Sequence, residues 1–553
     1  MESGIPITLI DPALIPRPTR NTERPIFLIG FQNQGNLGIG YLAATLAQHG
    51  YRVRVFDFES DHDQVLAAAH TEQPLLIGFS LIFQFYIHRF ANLIERLRAN
   101  GVACHFVMGG HFPSLSYEET INLVPGLDSV ARFEGEMTLL ELADRLSSGD
   151  DWHDVRGLAY RREIETVCNP MRPLIEDLDA LPYPQRDFRP MVELGHSIVP
   201  LLASRGCART CSFCSIQTFY RTAPGKIVRT RNPKRVVDEM LALHHDLGAT
   251  IFLFQDDDFP LFGPVWKRWA AEFVNALHQS GLSKRVIWKM NCRADSVERD
   301  LFLAMRDAGL YFVYMGLESG NEEGLKTLHK EISVDQNLRA VDILKTIELT
   351  FEYGFMLFDP SSTFESVREN LRFLRAIIGD GSTAVTFCRM LPYDGTAIKD
   401  DLQRSGRLRG DVCNPDYDFL DPRLTAFYNA LTEYVDIQGW IHGYEGLSMY
   451  LKTAWQEVAV IERLFPPIAE LSAYRHDLRR VTRESNDLLL RVIEDLWGEF
   501  ANGVPSGWSA WDIEDARKRF LAGLLDARDS FMLRNQDVLL ANMPGQLDRV
   551  VSV

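Results

Sequence analysis

From Arg24 onward the apolar and polar positions fall into blocks with two alternating periods. The run RPIFLIGFQNQGNLGIGYLAATLAQHGYRVRVFDFES reads as an apolar strand, a Gly-rich turn, an amphipathic helix and a second strand ending at Asp57. The alternation continues through strand LLIGFS, helix HRFANLIERLRAN, strand ACHFVMGG, the short segment VARFEGE and helix MTLLELADRLSS. Strands and helices in turn, with glycine at strand ends, predict an α/β unit over residues 1–150. Its parallel sheet is open, and its ligand crevice lies beyond the carboxyl ends of the strands. Over residues 151–197 three prolines and acidic side chains in PLIEDLDALPYPQRDF replace the periodic faces, which predicts a linker. A second series follows over residues 198–412, with strands IVPLLAS, TIFLFQDDDF, RVIWKMNCRAD, YFVYMGLESG, LTFEYGFMLFD and AVTFCRML separated by helices. Six such units resemble a partial (β/α)6 barrel of TIM type, in which function gathers on the loops after the strands. Residues 413–553 read as a helical domain.

Composition narrows the class. At 553 residues, 46% hydrophobic and 24% charged, the chain is long enough for several globular domains. A net charge of -17 argues against nucleic-acid or anionic-membrane partners, which are bound through clustered Lys and Arg, and favours a small-molecule or peptide substrate. The amino-terminal MESGIPITLIDP lacks the basic-then-apolar order of a targeting signal. The longest apolar run, Pro74–Ile87, falls short of a roughly 18-residue membrane span. Eight cysteines are too few for a disulfide scaffold, and three crowd into eight positions, which points to a metal site in a reducing, cytoplasmic setting.

Those three, Cys207, Cys211 and Cys214 in ASRGCARTCSFCSIQTFY, have the spacing C-x3-C-x2-C just after a strand. A zinc knuckle pairs C-x2-C with a second Cys or His pair, which is missing here. Three thiolates instead leave one iron of a [4Fe-4S] cluster open. With Phe213 before the last cysteine, the motif resembles the radical S-adenosylmethionine (SAM) superfamily over roughly residues 198–400. The resemblance implies that the open iron chelates SAM, that reduction by a donor such as flavodoxin or ferredoxin yields a 5'-deoxyadenosyl radical, and that Phe213 lies against SAM. By position it also implies SAM contacts from Gln255, Asp256, Asp257, Arg293, Glu318 and Ser319. Asp258 ends the same polar run, for which a solvated acidic loop is the competing reading, and a structural salt bridge or turn is the competing reading of Arg293, Glu318 and Ser319. The fifth strand carries Asp359 and Pro360 where close relatives have Gly-x-Pro-Gly-Glu-Thr, and the SSTFES that follows reads as a capping box. No residue is assigned as acid, base or nucleophile.

In the first unit, Asn36-Leu37-Gly38, Ser80-Leu81, Gly109-Gly110-His111 and Glu134-Gly135 match in order and spacing the cobalamin-binding subgroup of this family. That resemblance implies a Rossmann-like cobalamin domain on these residues; a Gly-rich turn in a βαβ unit would equally serve a nucleotide. The D-x-H-x-x-G signature is absent from FQNQGNLG, so no His is assigned as lower ligand of cobalt, and His88 and His111 are read as surface or loop residues. Cys104, Cys168, Cys292, Cys388 and Cys413 are scattered, which argues against a second cluster. Cys292 and Cys388 lie at strand ends toward the expected site, where a thiol donor competes with a buried small hydrophobe. The resemblance implies C-methylation of an unactivated carbon. Radical cyclisation, ring rearrangement or oxidation is the alternative, and a non-catalytic cobalamin sensor is the alternative from another class.

Overall fold

The computed structural model describes residues 23–544 apart from 34, 60, 189, 434–435 and 442–445. The stretch MESGIPITLIDP, read above for a targeting signal, lies outside the described residues. The chain divides into two compact units, the first extending to Arg172 and the second starting at Pro173; the short segments Asn33–Leu37 and Phe83–Tyr86 group with the second.

The first unit is built on strands β1 (Ile26–Gly30), β2 (Val53–Asp57), β3 (Leu76–Ser80), β4 (His105–Gly109), β5 (Ser129–Ala131), β6 (Leu158–Arg162) and β7 (Glu165–Cys168). They lie in the order β2-β1-β3-β4-β5-β6-β7, with the first five parallel. Ile26, Phe27, Leu28 and Ile29 are all buried, so no alternation survives along β1, the pattern of a parallel strand covered on both faces. Helix Ile87–Ala99 shows the complementary pattern, burying Ile87, Phe90, Leu93, Ile94 and Leu97 along one stripe. The order places a topological switch between β1 and β3, where a crevice opens at the strand ends.

The stretch expected as a linker carries more structure than its composition implied. Strands β6 and β7 form an antiparallel hairpin that extends the first sheet, with Ile164 exposed at its turn.

The second unit contains β8 (Met191–Glu193), β9 (His196–Leu201), the short pair β10 (Ser204–Arg205) and β11 (Arg229–Thr230), then β12 (Ala249–Phe254), β13 (Ile287–Arg293), β14 (Leu310–Glu318), β15 (Thr350–Phe358) and β16 (Cys388–Arg389). The main sheet runs β16-β15-β14-β13-β12-β9-β8, six parallel strands with β8 antiparallel at the edge. It curls into the partial barrel that six strand-helix repeats imply. Helix Pro233–Leu247 shows why its ends fall where they do: Asn232 caps the first turn, proline occupies it, and Gly248 closes it in the left-handed conformation. The capping box at SSTFES is present, with Thr363 and Ser366 reciprocally bonded.

The carboxyl-terminal region is helical. Helix Leu447–Leu464 packs on β13, β14 and β15 and buries Leu451, Ala454, Trp455 and Val458. Trp440 and Trp455 are buried, Trp497 donates to the Phe364 carbonyl and Trp508 to Asp495, whereas Trp511 is 73% exposed. Among the described residues no helix is long and apolar enough to cross a membrane.

Candidate active site

The cysteine loop leaves β9 and is fixed from both sides. Asp256, just past β12, accepts from the Ala203 amide at 3.1 Å and from the Ser204 hydroxyl. Asp257 accepts from the Gly206 amide at 2.9 Å. Gly206 has φ +88, and a Cβ there would stand 2.1 Å from the Ile227 carbonyl oxygen, so only glycine fits. Farther on, the Ser212 amide and hydroxyl donate to the carbonyls of Leu328 and Thr327. Cys214 opens helix Ser215–Thr222, and its amide donates to the Cys211 carbonyl.

The three thiols are thus presented on a short, braced segment. Burial, and then the Asp258 carboxylate, push the Cys207 thiol up to about 12, and burial pushes Cys214 up to about 11. Thiols held this way give up their protons to a metal rather than to water, so cluster binding is coupled to proton release. Among the described residues no group of three His, Cys, Asp or Glu side chains is gathered tightly enough to hold a single metal ion. The donor set is three soft ligands on one loop, the number that leaves one iron of a cluster open, and it fits a [4Fe-4S] cluster.

The barrel interior is legible from strand parity. Along β13, Trp288 packs on Phe254, Phe259 and Phe273 on the helix side, while Lys289 and Asn291 alternate with it and line a cavity of about 310 Å³. Gln255, Phe312, Tyr314, Glu352 and Gln456 also line that cavity. Arg293 shares the parity of Lys289 and is buried. Its guanidinium donates to Asp295 at 3.0 Å, to the Lys330 carbonyl and to the Cys211 sulfur at 3.5 Å. Asp295 also binds Arg209 at 2.6 Å. Arg293 therefore ties the cluster loop to the barrel.

Glu318 ends β14 with φ +64, a conformation that costs a non-glycine residue about 1–3 kcal/mol and is kept where the surroundings enforce it. Its carboxylate pairs with the Lys330 ammonium at 2.9 Å, and both side chains are nearly buried. Two glycines in register across β14 and β15 make the room. A Cβ on Gly316 would stand 2.5 Å from a Glu318 oxygen, and one on Gly354 would stand 2.8 Å from the Tyr314 hydroxyl. This cleared, polar interior fits a zwitterionic ligand such as SAM.

Other residues expected at SAM have partners of their own. Ser319 is fully buried, its hydroxyl bonded to the Asn321 carbonyl and to Asn370. Asp256 is buried and occupied by the cysteine loop as described, and burial lifts its carboxyl to about 7. Phe213 is half-buried against the core. Asp258 keeps one buried oxygen without a hydrogen-bond partner, and burial raises it to about 6. Lys289, Asn291, Tyr314 and Lys330 were not among the residues expected. The signal for the first three was present, as single polar residues at alternate positions of otherwise apolar strands. Cys292 has the opposite parity and is buried, in keeping with a small hydrophobe, whereas Cys388 is exposed and donates to the Phe355 carbonyl. The buried reading fails for Cys388 because β16 is a two-residue edge strand.

In the first unit, glycines flatten the carboxyl end of the sheet. Gly110 has φ +115 and a Cβ there would lie 2.1 Å from the Leu81 carbonyl oxygen, while the Leu81 amide donates to the Gly109 carbonyl at 2.8 Å. A Cβ on Gly30, at the end of β1, would meet Ile39 at 2.6 Å and Ser80 at 3.1 Å. Ser80, Leu81, Gly109 and Gly110 therefore share one edge, a floor that a broad planar ligand such as a corrin can approach. Leu37 opens helix Leu37–Gln48, Asn36 precedes it and Gly38 is exposed; His111 begins the short helix His111–Leu115. Gly135 caps helix Glu136–Ser148, with Glu134 just before it, and His88 is exposed on its helix.

The B12 binding domain family matches residues 32–143, and the Radical SAM superfamily matches residues 201–374. The chain thus carries a B12 binding domain followed by a radical SAM domain. Its cofactors are those of the two domains: cobalamin, SAM and a [4Fe-4S] cluster. An uncharacterised methyltransferase of Pyrococcus horikoshii is 28% identical over 370 residues, covering 66% of this chain and 77% of its own. The anaerobic magnesium-protoporphyrin IX monomethyl ester cyclase of Rubrivivax gelatinosus is 29% identical over 358 residues, 61% of each chain. The cobalamin-dependent SAM radical enzyme OxsB, solved with aqua-cobalamin and SAM bound, superposes with a TM-score of 0.64 at 17% identity, over 91% of this chain and 84% of that one. This last likeness is one of fold.

Proposed function

We propose that this radical SAM enzyme is a C-methyltransferase acting on an unactivated carbon of a small molecule or peptide. The observation that carries the reading is the presence in one chain of a glycine-flattened corrin floor and a braced three-thiol loop on a partial barrel. The methyltransferase relative, matched over 77% of its length, supports it.

When bound, the three cofactors supply a carbon radical that removes a hydrogen atom and a methyl group that takes its place. The chain's residues do the rest. Cys207, Cys211 and Cys214 hold the cluster, and Arg293 keeps Cys211 in register with β13. Glu318 and Lys330 offer opposite charges to the amino and carboxylate ends of SAM. Helix Leu447–Leu464 packs on the barrel strands with a largely apolar face, which keeps bulk water from the radical chemistry. In the first unit, Ser80, Leu81, Gly109 and Gly110 carry the corrin, with Asn36, Leu37, Gly38, His111, Glu134 and Gly135 as further contacts. A low-potential donor of the flavodoxin or ferredoxin type supplies electrons in the cytoplasm.

The test is anaerobic reconstitution with iron, sulfide and hydroxocobalamin, followed by SAM and a reductant. S-adenosylhomocysteine formed in proportion to bound corrinoid, together with 5'-deoxyadenosine, supports methylation. The cyclase relative favours radical cyclisation or oxidation as the second reading. With substrate present, that reading gives 5'-deoxyadenosine without S-adenosylhomocysteine, and this result overturns the first.

A further inference from the structure

Arg293 ends β13, is 5% exposed, and spends its guanidinium on protein partners. Its Nε donates to Asp295 at 3.0 Å, its Nη1 to the Cys211 sulfur at 3.5 Å and its Nη2 to the Lys330 carbonyl. Asp295 also takes Arg209 at 2.6 Å, so one carboxylate lies between two guanidinium groups, and all three side chains are nearly buried. Arg209 is held from its other face by the Phe262 ring, whose centre lies 3.7 Å from its guanidinium. The charge at Cys211 is therefore fixed in place. The other two thiols meet the opposite sign. The Asp258 carboxylate lies 4.0 Å from the Cys207 sulfur, and Asp257 is close enough to act on both Cys207 and Cys214. The nearby Lys330 ammonium is paired with Glu318. The loop is thus electrostatically lopsided, with a charged donor on one ligand sulfur and carboxylates beside the other two.

We infer that Arg293 is a positioning residue that sets the reduction potential of the cluster, its N–H···S bond to Cys211 favouring the one-electron-reduced state. The inference rests on the assignment of the three thiols to a [4Fe-4S] cluster. Reduction takes one electron from a low-potential carrier of the flavodoxin or ferredoxin type, which is itself oxidised by one; it breaks no bond and needs no proton. The added negative charge falls partly on the ligand sulfurs, and Arg293 answers it with a charge-assisted hydrogen bond that is stronger for the reduced form. Burial enlarges the difference, because charges are less screened where the dielectric is low. Asp295 sets how far Arg293 acts, since it orients the guanidinium and offsets part of its charge. A salt bridge from Arg293 to the SAM carboxylate would instead show itself once SAM is bound.

The test is an EPR-monitored potentiometric titration of the anaerobically reconstituted holoenzyme without SAM. Arg293→Met is expected to make the ratio of reduced to oxidised cluster about tenfold smaller at a fixed potential, a midpoint lower by about 59 mV. Arg293→Lys, which keeps the charge, is expected to restore at least half of that shift. Asp295→Asn, which removes the carboxylate from between two guanidinium groups, is expected to raise the midpoint. A purely structural role would lower iron content without moving the midpoint of the clusters that remain. Where the variants lose their cluster, the unaltered protein labelled with guanidino-15N arginine decides: pulsed EPR of its reduced cluster is expected to show a 15N coupling across the N–H···S bond. An unmoved midpoint in Arg293→Met, a midpoint not raised in Asp295→Asn, a shift confined to the SAM-bound enzyme, or absence of the 15N coupling overturns the inference. Iron and sulfide content of the unaltered protein are scored separately. Their absence overturns the cluster assignment and the inference with it, whereas a full cluster with an unmoved midpoint overturns the inference alone.

Discussion

The Glu318 carboxylate meets the Lys330 ammonium at 2.9 Å in space that exists only because position 316 carries no side chain. Glu318→Gln leaves a buried, uncompensated ammonium, and removing one partner of a buried pair costs about 3–5 kcal/mol. Denaturant titration is expected to show a loss of that order for Glu318→Gln and a smaller one when Lys330→Met is added. Gly316→Ala pushes the pair apart, and SAM affinity by equilibrium dialysis is expected to fall about tenfold, equivalent to about 1.4 kcal/mol. Unchanged affinity would mean that SAM does not use the pair.

Substitution of the cysteines divides them into two sets. Cys207→Ala, Cys211→Ala and Cys214→Ala are each expected to remove most of the iron bound after reconstitution, because no other described cysteine joins their loop. Cys104→Ala, Cys168→Ala and Cys413→Ala are expected to leave iron content as it was. Loss of iron in any of the latter would place a fourth ligand outside the motif.

His105 makes the first unit acid-sensitive. Its ring is buried against Trp152, with one nitrogen 2.8 Å from the Ser129 hydroxyl, and burial lowers its pKa to about 4. The unfolded chain takes up this proton near pH 6.5 and the folded one only near pH 4. Between those values the unfolded state binds more protons, and stability falls as the pH falls. Above pH 6.5 both forms are neutral, below pH 4 both are charged, and the window accounts for up to about 3 kcal/mol. Hydrogen exchange at β4 and β5 is expected to accelerate as the pH drops through this window, after correction for its intrinsic pH dependence. His105→Gln should flatten the response, and an equally steep response in that variant would move the cause elsewhere.

The strand and helix order of both units was legible because buried parallel strands read as continuous apolar runs, and the cysteine loop was legible because its ligands are close in sequence. The β6–β7 hairpin was hidden, since its strands are only five and four residues long and largely polar beyond Tyr160. Lys330 was hidden for another reason: it reaches Glu318 from a loop twelve residues on, a pairing that depends on how the chain returns. Residue type and place marked both Gln255 and Asp256 as ligand contacts, yet only the first lines the cavity. Strand parity separates them, because Asp256 continues the series of Phe252 and Phe254 toward the helices.

Asp256 allows the two roles of a carboxylate at this position to be told apart. If it braces the cysteine loop, Asp256→Ala orphans the buried Ala203 amide and the Ser204 hydroxyl, each at a cost of about 1–3 kcal/mol. The loop then loosens, and a chelator is expected to strip iron several times faster than from the unaltered protein. Protein that retains its cluster should bind SAM with nearly the original affinity, because the carboxylate never touched it. If Asp256 instead contacts the SAM amine, iron retention stays normal while SAM affinity per loaded cluster falls about tenfold or more, the worth of one charge-assisted hydrogen bond. Measuring iron release and SAM binding on the same preparation separates the two, and its geometry here predicts the first.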